Sequence, residues 1–137
     1  ILGAAAITEP TLLESAARAY GAQLAVGVDL RDGKVAIKGW TEKSSLDAFS
    51  FCHDLQKLGV TTVICTDISK DGAMEGTNHG LYQTLAEQFD MNIIASGGVS
   101  SLEDVKKLAK LDIHGAIIGK AYYTGAIDLK TAIEVAK

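Results

Sequence analysis

The sequence predicts an α/β fold in which short parallel strands alternate with helices, and three observations carry that expectation. Apolar, β-type runs at 24–28, 61–66, 92–96 and 115–118 are separated by segments with helical periodicity. Those segments are long enough to act as crossovers between parallel strands, which need about a dozen residues or more. The strand runs are almost continuously apolar, as expected where a sheet is covered on both faces. With the opening run Ile1-Leu2-Gly3-Ala4-Ala5-Ala6, which reads as a strand entered partway, five strands are expected.

Thr8-Glu9-Pro10 opens the first helix, with the hydroxyl as candidate cap and Pro in the first turn. Leu12, Leu13, Ala16 and Ala17 form its apolar face, and Gly21 ends it. The strand at 24–28 follows and ends at Asp29. A polar excursion over 30–40 contains an Asp32-Gly33 step and a short alternating run, the signature of a small hairpin. Ser44 or Ser45 is the candidate cap of a helix with apolar positions Leu46, Phe49, Cys52, Leu55 and Leu58, closed by Gly59. The strand at 61–66 leads through a loop at 67–72 to a helix expected over 78–89. The strand at 92–96 ends in Gly97-Gly98, and Ser100 or Ser101 caps a helix running to Lys110. The last strand, 115–118, enters Gly119-Lys120-Ala121, and a closing helix begins near Asp128.

Two architectures fit this alternation: a doubly wound open sheet and a segment of a (βα)8 barrel. Residues suited to chemistry follow one strand after another, at Asp29, Thr66-Asp67, Ser96-Gly97-Gly98 and Gly119. That distribution favours the barrel, because a doubly wound sheet gathers them at one switch point.

The composition narrows the function classes. A formal charge of −4 with scattered Lys and Arg argues against a nucleic-acid partner. No apolar run approaches the roughly 20 residues that cross a bilayer, so no membrane partner is expected and a cytoplasmic location is the default. Cys52 and Cys65 sit singly in apolar segments and read as reduced core thiols. His53, His79 and His114 share no ligand spacing, so no metal is expected.

Five ordered motifs carry a family resemblance: Val26-Gly27-Val28-Asp29; the loop with Asp32-Gly33-Lys34-Val35-Ala36 and Lys38-Gly39-Trp40; Thr66-Asp67-Ile68-Ser69-Lys70-Asp71-Gly72; Ala95-Ser96-Gly97-Gly98-Val99-Ser100-Ser101; and Ile118-Gly119-Lys120-Ala121. Across essentially the whole chain the sequence resembles the ProFAR isomerases of histidine biosynthesis. These enzymes turn a bis-phosphorylated aminoaldose into its aminoketose by an Amadori rearrangement, and the resemblance implies neither a metal nor an organic cofactor. The resemblance implies a single partial (βα)8-barrel domain over 1–137, aligned with strand four to helix eight of the family barrel, with strands one to three absent.

It also implies roles. Asp29 matches the general acid that protonates the ribose ring oxygen, and its base partner resembles an Asp on the family's first strand. Thr66 matches a hydroxyl that assists catalysis. Arg31, Trp40 and Asp71 match substrate contacts, with the Trp40 indole closing over the barrel mouth. Gly97, Gly98, Gly119 and Lys120 read as a phosphate site after strands seven and eight, and Gly3 as half of a second one. Asp29, Thr66 and Asp71 each keep a plain alternative as residues that end a strand or make a turn.

The implied substrate is a small bis-phosphorylated sugar. The alternatives are the cyclase subunit of imidazole-glycerol-phosphate synthase, from which the Lys38-Gly39-Trp40 loop distinguishes the isomerase, and a non-catalytic phosphate-binding half-barrel. With one member of the carboxylate pair, the chain alone is expected to be inactive. Its open edges and apolar interior face are expected to drive self-association or pairing with a complementary half.

Overall fold

The computed structural model describes residues 1–37 and 42–137, and for 42–45 the backbone only. Its elements are α1 (Ala5–Thr8), α2 (Pro10–Tyr20), a 3-10 turn (Gly21–Gln23), β1 (Ala25–Arg31), β2 (Lys34–Ile37), β3 (Glu42–Asp47), α3 (Ala48–Lys57), β4 (Thr62–Asp67), α4 (His79–Gln88), β5 (Asn92–Ser96), α5 (Leu102–Lys110), β6 (Gly115–Ala116), α6 (Lys120–Tyr123) and α7 (Leu129–Ala136).

One sheet runs β3-β2-β1-β4-β5-β6. Strands β1, β4, β5 and β6 are parallel, and Leu2 makes a further parallel bridge to Val26 on the far edge of β1. The parallel strands therefore lie side by side in chain order. Right-handed crossovers between strands so ordered put their helices on one face, the winding of a (βα) barrel; a doubly wound sheet would reverse its order partway.

Strand alternation divides the side chains accordingly. Val26, Val28, Val63, Cys65, Ile93 and Ala95 point to the helix-covered face and are buried. Ala25, Gly27, Asp29, Ile64, Ile94 and Ser96 occupy the opposite face and are half-buried. The helices fit by their apolar stripes. Leu13 and Ala16 of α2, Phe51, Cys52 and Leu55 of α3, Tyr82 and Leu85 of α4, and Val105 and Leu108 of α5 all enter the core. Cys52 and Cys65 are free and buried, as the sequence implies.

Local signals hold at most boundaries. Asp32 and Gly33 turn the chain from β1 into β2 with φ of 53° and 76°, the left-handed pair a two-residue hairpin requires. Ser101 caps α5 in a capping box with Asp104, and Asn78 and Asp128 cap α4 and α7. Four expectations need correction. Thr8 caps nothing; its hydroxyl donates back to the Ala4 carbonyl, and α2 starts on Pro10 without a side-chain cap. Ser44 and Ser45 lie in β3, and the cap of α3 is Asp47, which accepts from the Ser50 amide. Leu46 likewise belongs to β3, because pairing with β2 extends the strand through it. Strand β6 is also shorter than its apolar run, ending at Ala116.

Candidate active site

The parallel register builds a row of polar side chains. Asp29 pairs with Thr66, and Thr66 with Ser96. Registered neighbours in a sheet point the same way, so a carboxylate and two hydroxyls stand on the inner face of β1, β4 and β5, each about 5 Å from the next. All three lie at or near the C-terminal ends of their strands, the end at which barrel enzymes do chemistry. Arg31 follows Asp29 by two residues, shares its face and is exposed. Thr66 is 9% exposed. Ser96, one of the strand-end residues suited to chemistry, has no individual role from the resemblance; its place in the row follows from its register with Thr66.

Beside this row lies a small pocket lined by Asp71, Gly72, Met74, Ser96, Gly97, Gly98, Val99, Ile117, Gly119 and Lys120. Five of the residues singled out from sequence, Asp71, Gly97, Gly98, Gly119 and Lys120, thus meet in one place. Helix α6 starts at its wall. Tyr122 and Tyr123 donate to the Gly119 carbonyl, which leaves the Lys120 and Ala121 amides as first-turn N–H groups with no acceptor inside the helix. The Lys120 ammonium donates to the Gly72 carbonyl at 3.1 Å, bringing a positive charge to the rim. Gly3 stands apart, on the opposite side of β1 from this pocket, where its carbonyl starts the turn into α1. Trp40, with Lys38 and Gly39, lies outside the described residues.

The two central glycines have a steric reason as well as a chemical one. Gly97 has φ +97°, and a Cβ there would come within 2.7 Å of the Asp67 carbonyl oxygen. Gly98 has φ +82°, and a Cβ would collide with the Gly76 carbonyl and the Lys70 side chain. The β5–α5 turn is therefore pressed against the β4–α4 loop.

Two buried carboxylates to which the resemblance gives no role hold that loop in shape. Asp67 accepts from the Ser69 amide and hydroxyl and from the Asn78 side chain at 2.8 Å, clasping both ends of the loop. Asp104 accepts from Ser100, Ser101 and, at 3.3 Å, from His79, joining the start of α4 to the start of α5. Burial works against the Asp104 carboxylate, but the hydrogen bonds from Ser100, His79 and Ser101 outweigh it and hold its pKa below the ordinary value. Among the described residues, no group of three or more His, Cys, Asp or Glu could hold a metal ion, and no helix is long and apolar enough to cross a membrane.

Comparison with known proteins gives this geometry a context. Residues 1–128 match the model of the family described as "Histidine biosynthesis protein". A protein of Clostridioides difficile is 46% identical over 132 residues, covering 96% of this chain and 55% of the relative. One of Brachyspira hyodysenteriae is 46% identical over 137 residues, covering 100% and 58%, and one of Ruminiclostridium cellulolyticum is 45% identical over 133 residues, covering 97% and 56%. All three are named 1-(5-phosphoribosyl)-5-((5-phosphoribosylamino)methylideneamino)imidazole-4-carboxamide isomerase. The chain spans about half the length of the curated relatives it matches. A match over residues 1–128 and identities of 45–46% make the chain a member of the histidine biosynthesis protein family.

Proposed function

We propose that this chain carries the general-acid side of an aldose–ketose isomerase that converts the aminoaldose ProFAR into its aminoketose. The observation that supports the reading best is the Asp29–Thr66–Ser96 row beside the glycine-lined pocket. Asp29 protonates the ribose ring oxygen as the ring opens, and Thr66 hydrogen-bonds the opened sugar. A base must then move the proton from carbon two. On the inner face of the four parallel strands Asp29 is the one carboxylate, which supports a base supplied from outside this set, as the family resemblance implies, and a chain inactive by itself. One phosphate of the substrate sits at Gly97, Gly98 and Gly119, against the Lys120 and Ala121 amides and the Lys120 charge. Arg31 and Asp71 contact the sugar, Trp40 covers it, and Gly3 serves the second phosphate.

The same reading makes the protein cytoplasmic, in keeping with two buried, unpaired thiols. The half-buried inner face, with Ile64 and Ile94, together with Ile117, which is 45% exposed, supports self-association or pairing with a complementary half-barrel. A monodisperse monomer in light scattering would count against that pairing.

The functional test joins this chain to the N-terminal part of the Clostridioides difficile relative and supplies ProFAR alone. Aminoketose formation by the joined protein, with none from the chain alone, supports the reading. A joined protein that folds, ignores ProFAR and turns over only the aminoketose with ammonia would favour the cyclase. One that binds phosphate without any turnover would favour a non-catalytic half-barrel.

A further inference from the structure

We infer that Tyr82 is a positioning residue for the phosphate pocket, acting through the backbone of Ser96 rather than by touching substrate; this rests on the phosphate reading above. Tyr82 lies in α4 and is fully buried, yet its hydroxyl emerges between the ends of β4 and β5. It donates toward the Ser96 carbonyl at 2.5 Å and the Cys65 carbonyl at 3.0 Å, and accepts from the Ser96 amide at 3.2 Å.

The place of this contact in the sheet gives it its effect. The Asn92 amide donates to the Thr61 carbonyl, and a parallel ladder repeats every two residues. The same phase carried along β5 sets the Ser96 amide opposite the Cys65 carbonyl, and these are groups the Tyr82 hydroxyl meets. Tyr82 thus fixes the last rung of the seam. One residue on either side of that rung are Thr66, on the inner face, and Gly97, which opens the pocket. The Ser96 carbonyl belongs to the peptide unit that carries the Gly97 N–H. By holding that carbonyl, the tyrosine sets the plane, and hence the aim, of an amide on the pocket wall. Phenylalanine would fill the same space but remove the hydroxyl that meets the Cys65 carbonyl and both backbone groups of Ser96.

The test compares the unaltered chain, Tyr82→Phe, and Val105→Ala as a control that loosens the core of α5 away from this seam. Amide hydrogen exchange at Ser96 and Gly97, and inorganic phosphate affinity followed by the chemical shifts of Gly97, Gly98 and Lys120, are read in all three. Tyr82→Phe is expected to speed exchange at Ser96 and Gly97 on the order of fivefold beyond any global change, and to weaken phosphate binding by a similar factor. Val105→Ala is expected to change exchange only in proportion to its stability. Unchanged exchange in Tyr82→Phe overturns the inference. Faster exchange with undiminished phosphate affinity also overturns it, leaving Tyr82 a structural staple. If the unaltered chain binds no phosphate, the phosphate reading fails and the positioning role fails with it, whereas the exchange data still report whether Tyr82 holds the seam.

Discussion

Gly98→Ala offers a quantitative test of how the pocket is built. At φ +82° an L-residue costs about 1–2 kcal/mol relative to glycine. The new methyl would also overlap the Gly76 carbonyl, with the Lys70 Cβ at 2.9 Å and the Gly76 carbonyl carbon at 3.0 Å. These obstacles cannot withdraw cheaply. The loop that carries them is fastened by the Asp67–Asn78 hydrogen bond and by Lys120 on the Gly72 carbonyl. Overpacking of this kind adds about 1–3 kcal/mol. The total, about 2–5 kcal/mol, corresponds to a fall in Tm on the order of 10 °C for a chain this size. Calorimetry should be run beside Gly119→Ala, where a Cβ meets nothing within 4 Å. That control adds no clash of this kind and is expected to lower Tm by less than Gly98→Ala does. A Gly98→Ala protein that melts within about 2 °C of the unaltered chain would refute the packing argument.

Two further predictions concern titration. Asp104 has a lowered pKa when folded, so the stability it contributes is present above about 3.8 and is lost as pH falls through the folded value. Asp104→Asn should therefore be less stable than the unaltered chain by about 1–3 kcal/mol near neutrality, with the gap closing in acid; denaturant titrations at both extremes check it. For Tyr82, burial pushes the phenol up to about 12, with the nearby Cys65 thiol adding to it and the Ser96 hydrogen bond opposing it. The folded value is the higher one, so its contribution is present below about 10 and is lost as pH rises toward 12. Ultraviolet titration should show a late tyrosinate step that Tyr82→Phe lacks.

The fold is legible where the signals are local. Asp32-Gly33, Ser101, Asp128 and Pro10 each act within a few residues of themselves, and each does in the structure what its chemistry implies. The failures are tertiary. Nothing within 42–47 marks a strand, since its six residues gain their conformation by pairing with β2, and that pairing moves the helix cap from Ser44 or Ser45 to Asp47. The end of β6 is likewise decided by its neighbour rather than by the apolar run. Within the site, the row through Asp29 and Thr66 follows from strand parity, and the gathering of Asp71, Gly97, Gly98, Gly119 and Lys120 follows from strand order. What could not be read are the groups that hold these residues in place. Asp67 finds Asn78 eleven residues away, Tyr82 finds Cys65 and Ser96 at 17 and 14, and Asp104 finds His79 at 25. Such pairings leave no periodic trace.

ProFAR turnover by the joined protein carrying Asp29→Asn tests whether Asp29 is the acid of an isomerase. Asparagine keeps the shape of the side chain but cannot supply the proton. The expected loss is about 10²–10⁴ in kcat, with Tm and phosphate affinity little changed. Turnover within a few-fold of the unaltered joined protein would contradict it.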